Sequence, residues 1–144
     1  MWWWILPLAP GVPERLVVGN ERAFLTWFYE GATAKPNAIG PDAVDEYLRT
    51  FAGREGVLGS MGIYRAAFTS IEQTEPLRMA KMTVPVVAMG GGAGGLGTEV
   101  GEMVKLVAEH VEVVTLPDYG HFLPEECPDE VARRILAAAA EFRC

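Results

Sequence analysis

The sequence predicts an α/β chain: a helical region over residues 1–78, then a strand–helix–strand–helix unit over 79–144 whose two strands run parallel. Three observations predict it. Apolar residues in the first region recur at three- and four-residue spacing, which puts them on single helix faces. The character then switches at residues 84–89 to a nearly continuous apolar run, as expected of a buried parallel strand. Last, the β-branched run 111–116 is followed by Gly120-His121 and then by Pro128-Asp129-Glu130, which reads as strand, turn and helix start.

Taken in order, residues 2–8 allow one or two helical turns, stopped by Pro7 and Pro10. Pro13-Glu14 reads as a helix start. Asn20-Glu21 can cap a helix over 21–30, where Phe24, Leu25, Trp27, Phe28 and Tyr29 make most sides apolar, so deep burial is expected. Residues 31–41 are a loop rich in turn formers. Pro41-Asp42 opens a helix with Val44, Tyr47, Leu48 and Phe51 on one face, ended by Gly53. One longer helix is expected over about residues 55–70, with Val57, Met61, Tyr64 and Phe68 on one stripe, and a polar connection over 72–81. After the strand at 84–89 come a glycine run, a helix over 99–109, the strand at 112–116 and a final helix over 129–142. That last helix carries Val131, Ile135, Ala138 and Phe142 on one face.

Composition narrows the function classes. At 144 residues the prior is one domain, and a hydrophobic share of 50% supplies a core. The net charge of −7, from 12 Lys+Arg against 19 Asp+Glu, argues against a nucleic-acid surface and against docking on anionic lipid. The apolar start through Leu6 lacks a basic segment and is broken by Pro7, so it reads as core or pocket surface rather than a signal or membrane segment. Cys127 and Cys144 show no framework spacing, which fits reduced thiols and a cytoplasmic location.

The chemistry centres on residues 118–126, Asp-Tyr-Gly-His-Phe-Leu-Pro-Glu-Glu. The expected fold presents His121 at the carboxyl end of a strand, where open α/β sheets place their sites. A lone His after a glycine is often a loop residue satisfied by backbone. Here the neighbouring residues carry a family resemblance, and that resemblance implies a general base, a task suited to imidazoles, which ordinarily titrate at about pH 6.5.

Those residues, with Pro128 and the amphipathic helix behind them, resemble the catalytic-histidine segment of the α/β-hydrolase fold. The whole chain resembles the second half of such a protein, in the branch of soluble epoxide hydrolases and haloacetate (fluoroacetate) dehalogenases. By that resemblance residues 1–78 are the helical cap and 79–144 the last part of the core. Pro10-Gly11-Val12-Pro13-Glu14 resembles the first cap helices, and residues 25–29 resemble the helix that follows. Tyr64-Arg65-Ala66 resembles the cap tyrosine, whose phenolic O–H meets negative charge on the epoxide oxygen or the departing halide. The alternative for Tyr64 is a core tyrosine on its helix stripe. Trp3 matches the tryptophan of a His-Trp pair that faces the halide in the haloacetate branch, whereas Trp2 stands where that branch has the histidine. Phe122, beside His121, is expected at the substrate. Trp4 reads as simple core, and Tyr29 as packing.

The resemblance also implies parts not written in these residues. The family nucleophile is an aspartate on a strand-to-helix elbow earlier in the fold, which with an earlier loop supplies the oxyanion hole. No carboxylate stands between residue 89 and Glu99, so the triad acid is expected on the preceding strand of the family fold, before Met1. A parallel pair needs cover on both faces and more strands. The chain is therefore expected to be a portion of a larger domain and to self-associate through its exposed sheet edge. The glycine run 90–97 lacks a phosphate-loop pattern, and its Gly92, Gly94, Gly97 spacing comes without an acidic residue for a ribose. No cofactor or metal is expected. Two functions follow. The first is a hydrolase part that supplies the cap and His121 for hydrolysis through an aspartyl ester of a small electrophile (epoxide, halo acid or ester). The second is a non-catalytic binding or interaction module derived from that fold.

Overall fold

A computed structural model describes residues 2–94, 97 and 99–141, with the side chains of Trp2, Trp3 and Glu141 left aside. Phe142 and Cys144 lie outside these residues. The chain divides into two units, residues 1–29 with 40–76 and residues 30–39 with 77–144.

The first unit is helical. It holds α1 (Trp2–Ile5), a 3-10 turn at Leu6–Leu8, α2 (Val12–Val17), most of α3 (Glu21–Ala32), α4 (Pro41–Phe51), α5 (Gly53–Arg65) and α6 (Ala67–Thr74). Proline opens α2 and α4 at positions where no intrahelical N–H partner exists. Val17, Val57 and Met61 form the buried centre, with Val18, Phe24 and Phe51 packed around them. The Phe24 and Phe51 rings stack at 6.1 Å. Polar ties close the unit. Arg65 donates to the Pro7 carbonyl at 2.8 Å and to Glu14 at 3.0 Å. The Gly53 N–H donates to Glu21 at 3.0 Å.

Several expectations are corrected here. The single helix over 55–70 is two helices, broken at Ala66 (φ −80°, ψ −3°), so the Val57/Met61 stripe does not continue. Phe68 is 66% exposed. The break coincides with Arg65, whose side chain is drawn back to Pro7 and Glu14. Gly53 does not end α4 but starts α5 at φ +76°, a left-handed conformation that favours glycine. The polar connection over 72–81 contains the end of α6 and a 3-10 turn, Glu75–Met79. Burial of α3 is shallower than its composition suggests. Leu25 is its buried residue and Trp27 is 47% exposed, since the helices of this unit cover one face of an almost wholly apolar cylinder. Trp4 is 48% exposed and not core.

The second unit holds β1 (Val86–Gly91) and β2 (Val111–Leu116), paired in parallel with Val86 opposite Val111 and Gly91 opposite Leu116. β1 begins and ends two residues later than the apolar run, because the pairing extends into Gly90 and Gly91. The crossover helix α7 is Val100–Lys105, shorter than the expected 99–109. It lies so close to the sheet that a Cβ on Gly101 would stand 2.5 Å from a Val113 methyl. Two helices follow β2, a single turn α8 (Leu123–Glu126) and then α9 (Pro128–Glu141). Among the described residues no helix is long and apolar enough to cross a membrane.

Candidate active site

The site is built where β1 and β2 end. Beyond Gly91 the chain turns against the end of β2. The Gly92 N–H donates to the Leu116 carbonyl at 2.8 Å, and the Ala93 N–H donates to the Tyr119 carbonyl at 3.0 Å. The glycines serve this contact. A Cβ on Gly91 would collide with the Gly120 carbonyl oxygen, and one on Gly90 would collide with the Gly97 carbonyl oxygen. The glycine run therefore brings backbone against backbone around the turn that carries His121.

A third segment of the chain joins them. The segment 30–39, the end of α3 and the loop after it, packs with this unit. The His121 N–H donates to the Ala32 carbonyl at 2.8 Å. Glu126, at the end of α8, reaches back with both carboxylate oxygens. Its Oε2 accepts from the Gly120 N–H at 3.0 Å and the Ala34 N–H at 2.7 Å. Its Oε1 accepts from the Phe122 N–H at 3.2 Å. Lys35 adds a cation–π contact, its Nζ 5.4 Å from the centre of the Tyr119 ring. Gly120 is required by closeness rather than by φ. A Cβ there would stand 2.7 Å from the Ala34 nitrogen and 2.8 Å from Glu126 Oε1.

The backbone on both sides of His121 is thus fixed while its imidazole is exposed. The ring meets Phe122 edge-on, 5.0 Å between centres and 84° between planes. Among the described residues no carboxylate bonds this imidazole. Beneath the turn lies Cys127, buried, its thiol pKa raised by burial and then by the negative charges of Glu126 and Glu130. Such a thiol is a packing group.

Tyr64, the second catalytic candidate, lies in the first unit on α5. It is half-buried, and its ring meets Trp4 edge-on at 5.5 Å. Trp2 and Trp3 fall in α1, and their side chains lie outside the described set. Phe122 stands beside His121 as expected. Sequence reading missed two participants, the Ala32–Ala34 backbone and Glu126. The second left a trace in the sequence: a glutamate five residues after His121, in the first turn of a short helix that holds Pro124, is placed to reach back to the amides before it.

These elements match part of the α/β-hydrolase fold. Solved structures match it over nearly the whole chain. Cfl2 of Burkholderia cenocepacia is similar with TM-score 0.86 and 33% identity, over 94% of this chain and 46% of that one. The epoxide hydrolase CorEH is similar with TM-score 0.84 and 27% identity, over 97% of this chain and 50% of that one. In sequence, the soluble epoxide hydrolase of Corynebacterium sp. (strain C12) is 33% identical over 110 residues, 75% of this chain and 37% of that enzyme. No family model matches the chain. In sequence and in fold the chain is similar to α/β-hydrolases, epoxide hydrolases among them. It spans about half the length of the solved relatives and little more than a third of the curated one.

Proposed function

We propose that this chain supplies the lid and the histidine of an epoxide-hydrolase-type active site. The observation that carries the reading is the exposed imidazole of His121 at the carboxyl end of a parallel strand, on a turn whose amides are tied on both sides. An aspartate elsewhere in the fold attacks an epoxide carbon. The carbon–oxygen bond breaks, and an ester forms. His121 takes a proton from water, the hydroxide attacks the ester carbonyl, and the acyl–oxygen bond to the diol breaks; the two protons of that water end on the two diol oxygens, one by way of His121, and the aspartate is restored as a carboxylate. The sum is epoxide plus water to diol. With a haloacetate the same steps release halide, a proton and the hydroxy acid. Tyr64 and Trp3 act as donors to the leaving oxygen or halide, and Trp2 and Phe122 line the substrate. A reducing, cytoplasmic setting belongs to the same proposal and agrees with the free thiol of Cys127.

Complementation tests it. The chain is co-expressed with the part of the Corynebacterium enzyme that the match does not span, and diol formation and halide release are measured. We expect turnover in the complemented protein and none from the chain alone above its His121→Ala control. Tyr64→Phe should lower turnover by roughly a hundred- to thousandfold at unchanged melting temperature. His121-dependent turnover by the chain alone would sink the shared-site reading. Complementation without turnover would favour a non-catalytic binding module. Apolar groups exposed on the second unit, among them Ile135 and Leu136, point to that alternative.

A further inference from the structure

We infer that Glu126 is the positioning residue for His121: its carboxylate sets the backbone of the histidine turn and so aims the imidazole. The inference rests on the catalytic reading of His121 and names a residue that reading does not use. Three amides span the turn, those of Gly120, His121 and Phe122. Glu126 accepts two of them, and the middle one goes to the Ala32 carbonyl. The same carboxylate holds Ala34 at 2.7 Å, so it also fixes the segment that supplies the Ala32 acceptor. One side chain, half-buried at the end of a one-turn helix, thus holds two of these three amides directly and bonds the segment that holds the third.

The residue type matters. Three N–H donors converge on two oxygens, and a carboxylate is acceptor-only. Glutamine has the same shape but must turn its NH₂ toward at least one of the donors. Aspartate is a methylene shorter and cannot span from α8 to both Ala34 and Phe122.

The test uses the 144-residue chain and its Glu126→Gln variant, by amide exchange and ¹⁵N relaxation. In the wild type the amides of Ala34, Gly120, His121 and Phe122 should be protected, with order parameters near ~0.85. Exchange at free-loop rates there would overturn the proposal without any variant. In Glu126→Gln, exchange at these positions should rise by about tenfold or more while β1 and β2 keep their protection. The His121 order parameter should fall below ~0.6. Changes within about twofold would overturn it. In the complemented enzyme, Glu126→Gln should lower kcat by roughly tenfold or more with KM within about twofold, and Glu126→Asp should not restore it. A loosened turn with unchanged kcat would also overturn the positioning role. If the complemented wild type is inactive, the hydrolase reading fails, and the relaxation data on the chain alone still decide whether Glu126 holds His121.

Discussion

Gly120→Ala and Gly31→Ala make the same chemical change within one unit and should act with opposite sign. A Cβ at Gly120 would stand 2.5 Å from the Ala32 oxygen, 2.7 Å from the Ala34 nitrogen and 2.8 Å from Glu126 Oε1. Contacts of this kind are comfortable at roughly 3.5 Å, so each neighbour must retreat by almost 1 Å. Two of the three are backbone atoms, and retreat moves the 30–34 segment off the histidine turn. Overpacking of this sort costs about 1–3 kcal/mol. Losing one charge-assisted bond to Glu126 adds about 1.5–3 kcal/mol. The expected destabilisation is about 3–5 kcal/mol, a large part of the roughly 5–15 kcal/mol that holds a domain together. A Cβ at Gly31, in the last turn of α3, meets nothing within 4 Å, and the change should stabilise by about 0.5–1 kcal/mol. All four tryptophans lie before residue 30, so their fluorescence reports the first unit. Amide exchange of the β1 and β2 residues is the proper assay. Gly120→Ala should cost these amides roughly a hundred- to five-thousandfold in protection, and Gly31→Ala should raise it slightly. Shifts of the same sign, or a Gly120→Ala effect under about 0.5 kcal/mol, would refute the close-approach argument.

Three further outcomes are expected. Glu130 titrates at about 2, below the ordinary 4.5, first through its hydrogen bond from Arg133 and then from Arg134. A depressed carboxyl stabilises the fold above its unfolded value and loses that contribution as pH falls through the folded one, so α9 should loosen between pH 4.5 and about 2. Glu130→Gln should remove that part of the acid response, and superimposable pH curves for the two proteins would count against the assignment. In a Cys144→Ser background, Cys127 should react slowly with a thiol reagent at neutral pH and quickly in urea, because burial and two nearby carboxylates oppose the thiolate; native-state labelling at the rate of a free thiol would contradict this. Light scattering on a sizing column should give a mass above 15.7 kDa that rises with concentration, driven by exposed Val113, Ile135 and Leu136, and a constant monomer mass would disprove the association.

What the sequence made legible was local. The Val57/Met61 pair follows from helical spacing, the parallel strands from continuous apolar and β-branched runs, and the helix starts from the placing of proline, all of them local signals. The misses are non-local. The α5–α6 break lies where Arg65 bonds Pro7, 58 residues away in sequence. The shallow burial of α3 depends on how much of its apolar surface other helices cover, which composition does not state. At the site, the His121 turn was readable as a motif, but its attachment to Ala32 and Ala34 was not. Backbone carbonyls and amides carry no residue code.

That division explains the unusual glycine content around His121. Side-chain packing fixes a residue by shape, and its signature is an apolar pattern. Here three backbone segments approach until no Cβ fits between them, at Gly90, Gly91, Gly97 and Gly120, and the remaining donors converge on one carboxylate. Such an arrangement holds the turn without covering the imidazole. A histidine fixed by packing its own ring would be aimed but buried, and a burial cost would fall on its charged form. One fixed through its neighbours' amides is aimed and still exposed. The glycines and Glu126 are therefore better understood as one device than as a loop beside a motif, and Glu126→Gln should loosen the His121 turn before it disturbs the sheet.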